Sequence, residues 1–461
     1  MRRFVPFVLL AFLSLLPPAD LPAGAEESAW PLFGYDLAHT NFNAVEGRIT
    51  STSVPHLLEA WRLRTDGPVN MPVVSRGIAY FGSWTGKFYA VEVATGKVRW
   101  QIRTETYPEP RYGFPTLGVT ATAAVDADRV YFPTAQARVW SVDARTGKVL
   151  WRQAIGDPQA DDISWSSPVV FGGRVYIGVS SRSDHPTQKG RVVALEARTG
   201  RILWTFSTVT YATQEWDAGG AGVTSTPTGD PKRNILYITT GNPRSPTKEL
   251  PPGLNLYSES ILALDVRSGR KLWHYQATPR DPLDLDFIAS ANLFTIRKNG
   301  REVRVVGAGK KDGFYYLVEA TTGRLIYKRD LGAQEYGATI LGDAAVAHGR
   351  LYLGVTLFTP QGPRGKITAL EPATGQILWE QPLQAHTFNR PTAAGDVVFL
   401  GDYTGNLSAF AATSGKLLWR RAMGGRIGPR GKDGVAIAAG TVLVPIGYPS
   451  YGLAALRPAP R

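Results

Sequence analysis

An all-β fold, an eight-bladed β-propeller of four-stranded antiparallel blades, is predicted by three features of this 461-residue sequence. The first is a recurring segment in which Thr or Ser is followed by Gly, three further residues and a large aromatic. Its copies end at Trp100, Trp151, Trp204, Trp273, Tyr327, Trp379 and Trp419, which lie 51, 53, 69, 54, 52 and 40 residues apart. That spacing suits four-stranded propeller blades. The second is an alternating strand before most of these turns, such as Lys87–Glu92, whose period of two places one face in a core. The third is a mismatch between the ends of the chain. Residues 435–457 hold three strand-like runs but no terminal Thr-Gly-Trp strand, whereas Leu57–Arg62 resembles the outer strand Leu417–Arg420. The two ends are therefore expected to share the eighth blade and to close the ring, which leaves few open sheet edges.

Taken in chain order, residues 1–25 read as a signal peptide outside this fold. Arg2 and Arg3 precede an apolar run from Phe4 to Leu16, and Ala23-Gly24-Ala25 offers a small-residue cleavage site. The apolar run is shorter than the ~20 residues that span a bilayer, so no transmembrane anchor is expected after cleavage and a periplasmic or secreted location follows. Residues 26–461 then form a single propeller domain. Each turn glycine, Gly96, Gly147, Gly200, Gly269, Gly323, Gly375 and Gly415, supplies the positive φ of a tight hairpin. The aromatics that follow read as wedges between blades, not as ligand-binding groups.

Composition narrows the function. Cysteine is absent, which removes disulfides, a CxxCH haem site and a lipid-accepting Cys, so no haem is expected. The formal charge of +13 becomes +12 once Arg2, Arg3 and Asp20 leave with the signal (13 − 2 + 1). No basic run interleaved with aromatics argues for nucleic acid. For an exported chain, anionic lipid, envelope polymer or an acidic redox partner are the matching partners. The six histidines show no metal-ligand spacing, no GxSxG precedes a helix, and Gly219–Gly222 lies between strand-like segments.

Residues 235–318 fall among the longest intervals between repeats. They contain Ile235–Pro243, Asn255–Asp265, Thr278–Phe287 and Gly309–Tyr316, and the opening segment reads Trp30-Pro31-Leu32-Phe33-Gly34-Tyr35-Asp36. With the repeats, these stretches resemble the quinoprotein alcohol dehydrogenase superfamily, including its polyvinyl-alcohol-dehydrogenase-like members, over essentially the whole mature chain. The resemblance implies pyrroloquinoline quinone (PQQ) and Ca²⁺ as cofactors, with a small or polymeric alcohol as substrate. It also implies a separate cytochrome or other electron acceptor.

Residue by residue, Asn242 matches an oxygen ligand of Ca²⁺, a hard cation. Asp284 matches the carboxylate that takes the alcohol proton and sits beside the metal, with Asp286 able to do the same work. Lys311 matches the cation beside the quinone oxygens, and Ser180 a hydroxyl that bonds the cofactor. Thr224 stands where family members stack a Trp on the quinone. A metal-bridging Glu falls at Ser183, with Asp184 the nearby carboxylate, and Leu283 replaces a Trp. Trp165 is a further candidate to cover a ligand.

Each residue also has a structural reading. Asn242-Pro243 is a common turn, Asp281 to Asp286 an acidic loop, and Lys311-Asp312-Gly313 a hairpin turn. The alternative function is a non-enzymatic propeller that binds protein or polymer in the cell envelope. An outer-membrane assembly lipoprotein is disfavoured by the missing Cys.

Overall fold

The computed structural model describes residues 29–182, 190–209, 220–243, 256–279, 281, 283–335, 337–429 and 433–459. The proposed signal peptide and Asp184 lie outside them. Eight antiparallel sheets follow one another around a central axis. Blade 1 runs Val73–Ser75, Ile78–Gly82, Lys87–Glu92 and Val98–Arg103 from axis to rim. Blades 2 to 7 span 124–154, 169–207, 228–276, 292–330, 345–382 and 392–422.

Blade 8 takes Ala436–Ala438, Thr441–Ile446 and Gly452–Pro458 from the C-terminal end, and Leu57–Arg64 from the N-terminal end as its outer strand. Leu57 opposite Pro458 and Arg64 opposite Gly452 fix the register. The ring is thus closed by pairing between distant parts of the chain, as the unmatched terminal strands predict.

Exposure along the strands differs from the one-face expectation. Lys87–Glu92 is buried at its four central residues, on both faces, because each blade is sandwiched between two neighbours. Alternation of exposure appears instead in outer strands such as Val98–Arg103 and Val149–Ala154. The pairing of every third and outer strand also shifts register, for example between Ala90 and Val91 or between Ala194 and Leu195. These bulges add twist at the rim.

The wedge reading of the aromatics is correct, and the contact explains the glycines more fully. Trp151 of blade 2 donates Nε1–H to the Ala197 carbonyl of blade 3 at 3.0 Å. A Cβ on Gly200 of blade 3 would fall 2.7 Å from the same indole. Equivalent bonds join Trp61 to Val93, Trp100 to Ala144, Trp204 to Val266, Trp273 to Ala320, Tyr327 to Pro372 and Trp379 to Ala412. Each turn glycine therefore answers two demands: a φ of +71° to +79° and room for the ring of the preceding blade.

Residues 30–43 form a strap across the innermost strands. Trp30 exchanges backbone bonds with Val74 of blade 1, and Pro31 O accepts from Val125 of blade 2. Leu32 packs with the blade 3 residues Val170 and Val175. The carbonyls of Leu37, Ala38, Thr40 and Asn41 accept from Gly229, Leu293, Val346 and Ala393 of blades 4 to 7. The Asn43 amide donates to Ile437 O of blade 8 at 2.7 Å. One short segment thereby touches every blade and carries Phe33 and His39 to the axis.

Candidate functional site

Above this strap lies an axial cavity of about 180 Å³, lined from all parts of the ring. Its polar wall starts at Lys311, which follows the long blade 5 strand Arg301–Gly309. The Lys311 ammonium bonds Asp284 Oδ1 and lies 2.7 Å from Asp286 Oδ1. Burial lowers its affinity for a proton, but the charges and hydrogen bonds of Asp286 and Asp284 outweigh that and raise its pKa. Asn242, just past the blade 4 strand Ile235–Thr239, donates Nδ2–H to Asp284 Oδ1 at 2.6 Å. The predicted residues Asn242, Asp284, Asp286 and Lys311 thus form one contiguous cluster.

The two aspartates are not equivalent. Asp286 lines the cavity with its side chain 8 % exposed, whereas Asp284 sits at the rim, 49 % exposed, with a φ of +78°. That left-handed residue breaks the alternation that would have put both on one face. Asp281 shapes the turn by accepting from Leu283 N at 2.7 Å and Leu285 N at 2.6 Å.

Lys310, next in sequence to Lys311, turns into the blade instead. It pairs with Glu259 at 3.0 Å and Asp312 at 3.1 Å and bonds Thr278 at 2.8 Å. Burial pushes Glu259 up to about 8, with Lys310 pulling the other way. This buried network anchors the strand end from which Lys311 reaches the cavity.

Ser180 and Thr224 line the same cavity, and their hydroxyls make no hydrogen bond there. Thr122 and Ser181 add two more hydroxyls of this kind. Phe33, Trp84, Trp165, Ile288 and Leu341 provide the apolar surface. Trp165 is therefore a cavity residue. Leu283 points outward, 66 % exposed.

Asp343, Arg390 and Asp433, from the approaches to blades 6, 7 and 8, also reach the cavity and were not singled out from sequence. A signal existed: Met71-Pro72, Ser167-Pro168, Thr226-Pro227 and Arg390-Pro391 occupy one register before the innermost strand. Arginine is the charged exception among them.

Residues 30–330 match the family described as PQQ, glucose/ethanol/alcohol dehydrogenase, beta-propeller domain. The chain belongs to this PQQ propeller family. Residues 311–459 also match the family of outer membrane protein assembly factor BamB. The PQQ propeller is 28% identical over 426 residues to quinohemoprotein alcohol dehydrogenase ADH IIB of Pseudomonas putida, covering 84% of this chain and 59% of that protein. It is 27% identical over 459 residues to a polyvinylalcohol dehydrogenase of a Pseudomonas species, covering 88% and 68%.

The chain thus spans about three-fifths to two-thirds of the length of these two relatives. Its backbone superposes on quinohemoprotein alcohol dehydrogenase ADHIIG of Pseudomonas putida HK5 with a TM-score of 0.81 at 20% identity. The match covers 95% of this chain and 82% of that one, a likeness of fold. The relatives include quinohaemoproteins, whereas the present sequence has no cysteine for a thioether haem linkage.

Proposed function

We propose that this chain is an exported quinoprotein dehydrogenase that oxidises an alcohol with PQQ and Ca²⁺ and passes electrons to a separate acceptor such as a cytochrome. The observation that carries this reading is the Lys311–Asp286 pair on the wall of an axial cavity that also presents aromatic rings and hydroxyls without partners. A flat, polar, anionic quinone fits that lining. When bound, it supplies the two-electron acceptor.

Asp286, which faces the cavity beside Lys311, would take the alcohol proton. Lys311 favours negative charge at the centre of the site. Ser180, Ser181 and Thr224 offer hydrogen bonds to ligand oxygens, and Trp84 and Trp165 offer flat apolar contact.

For the metal, the oxygens of Asn242 and Asp284 suit a hard cation. Among the described residues no group of three His, Cys, Asp or Glu side chains converges on one point. Asn242 and Asp284 therefore give a partial shell, to which Asp184 and ligand oxygens would add. Residues 1–25 would direct export and be removed.

The test is titration of the purified mature chain with PQQ, with and without Ca²⁺, followed by quinone absorbance and by dye reduction with primary, secondary and polymeric alcohols. Saturable binding with alcohol-driven dye reduction, abolished in Asp286→Asn, supports the dehydrogenase. Binding without turnover in any alcohol overturns the enzymatic part. No binding at all turns the reading to an envelope scaffold, to which the BamB match over 311–459 points.

A further inference from the structure

Arg390 is among the largest fully buried side chains of the protein, 1 % exposed, yet its charge is not neutralised by contact. Its guanidinium stacks on Phe33 with Cζ 3.6 Å from the ring centroid. Nη2 reaches only the thioether of Met71 at 2.8 Å, a weak acceptor. Nε and Nη1 have no hydrogen-bond partner. Asp343 and Asp433 bias it electrostatically, but no described carboxylate lies within 4.0 Å of it. Asp343 Oδ1 is taken by the Ser290 amide at 2.7 Å, and the Oδ2 atoms of Asp343 and Asp433 are buried without partners.

Leaving two donors of a buried guanidinium unmet is costly, because the charge has lost its water and gained no acceptor. The same cavity holds two further cations, but Lys311 already has two carboxylates on it, and Arg182 pairs with Asp161 at 3.3 Å and lies over the Tyr107 ring. Arg390 is thus the cavity cation with open donors. A guanidinium held flat by an aromatic ring matches a planar carboxylate through two parallel N–H bonds.

We infer that Arg390 is a carboxylate-binding group of the axial cavity and takes a carboxylate of the bound quinone. This rests on the reading of the cavity as a PQQ site. Phe33 fixes the plane of the guanidinium, and Phe33 arrives on the N-terminal strap, so the strap becomes part of the binding site as well as of the ring. Asp343 and Asp433 oppose an added anion. Burial pushes both up to about 6, despite the pull of Arg390, which eases that opposition as they gain protons.

The experiment compares binding of PQQ and of its trimethyl ester, which keeps the quinone and masks the carboxylates. Wild-type chain, Arg390→Met and Arg390→Lys are followed by tryptophan fluorescence quenching and calorimetry, without turnover. Wild type should prefer PQQ to the ester by about tenfold or more, as a charge-assisted pair implies. Arg390→Met should lose most of that preference while its affinity for the ester stays within about threefold of wild type.

Should Arg390→Met fail to fold, judged by circular dichroism, Arg390→Lys carries the test. It keeps the charge, loses the two-donor fork and should lower the preference to an intermediate value. An undiminished preference in either folded variant overturns the assignment and leaves the PQQ reading standing, with Arg390 a structural residue bridged by water to Asp343 and Asp433. Failure of wild type to bind either compound overturns both. If wild type binds PQQ but the preference vanishes only when a carboxylated alcohol is added, the carboxylate belongs to substrate, and the assignment to the quinone is wrong.

Discussion

The junctions between blades and the axial cavity are built from one sheet architecture under opposite rules. At the junctions one solution repeats: an aromatic of one blade lies over the turn glycine of the next and bonds a carbonyl beside it, as Trp151 does with Gly200 and Ala197. At the axis the register repeats but the side chains do not. Each blade contributes different side chains from equivalent positions, and several of their polar atoms are left without partners. The contrast separates the parts that hold the ring from those available to bind. Redundant, satisfied contacts give stability, whereas a single unsatisfied group is where a ligand gains most.

The largest expected effect lies at the axis and spares the fold. Asp286→Asn should lower alcohol-driven dye reduction ~10²–10⁴-fold by removing the proposed proton acceptor, while far-UV circular dichroism stays unchanged. Asp284→Asn should act less on that rate and more on metal dependence, since Asp284 sits at the rim beside Asn242. Equal losses in rate for the two variants, at saturating metal, would remove the distinction drawn between them.

At the junctions the effect should fall on stability and spare the site. Gly200→Ala combines a left-handed φ of +79° with a Cβ 2.7 Å from Trp151, at a cost of about 2–5 kcal/mol. Gly300→Ala has a φ of +75° but open space around the new methyl, so only the backbone term of about 1–2 kcal/mol applies. Urea melts of the two variants measure the packing term by difference. If they destabilise equally, the indole contact contributes nothing and the glycines serve φ alone.

This division also explains what the sequence revealed. The ring was legible because its rule is written seven times, and because Leu57–Arg62 copies the outer-strand pattern the C-terminal end lacks. The double burial of strands such as Lys87–Glu92 was not, since alternation alone does not report that blades cover both faces. At the axis, Asn242, Asp284, Asp286 and Lys311 were named through resemblance and do meet. The different exposures of Asp284 and Asp286 go with the positive φ of Asp284, which no spacing reveals. Arg390 is the one charged residue among the Xaa-Pro pairs at its register, and a repeat is read from what its copies share. Asp184 falls outside the described residues.

The smallest effect belongs to the one junction that departs from the rule. Between blades 7 and 8 the chain closes on itself, and Arg62 there bonds Met423 O at 2.9 Å while pairing with Glu59 at 2.8 Å. Arg421 reaches the same carboxylate at 3.4 Å. The hydrogen bond from Arg62 holds Glu59 below the usual carboxylate range, against a smaller opposing effect of burial. These groups are partly solvated, so Glu59→Gln should cost no more than about 1 kcal/mol.

Because the folded pKa of Glu59 is the lower one, its contribution is fully present above the unfolded value of about 4.3 and fades as pH falls through the folded value. The wild-type advantage over Glu59→Gln in urea melts should accordingly be constant from neutral pH to about 5 and shrink below 4. Salt should shrink it too, since surface pairs are screened. An advantage that survives both acid and salt would mean that this seam relies on packing around Leu418, Trp419 and Met423, as the other seven junctions rely on their aromatics, and that the ion pairs only decorate it.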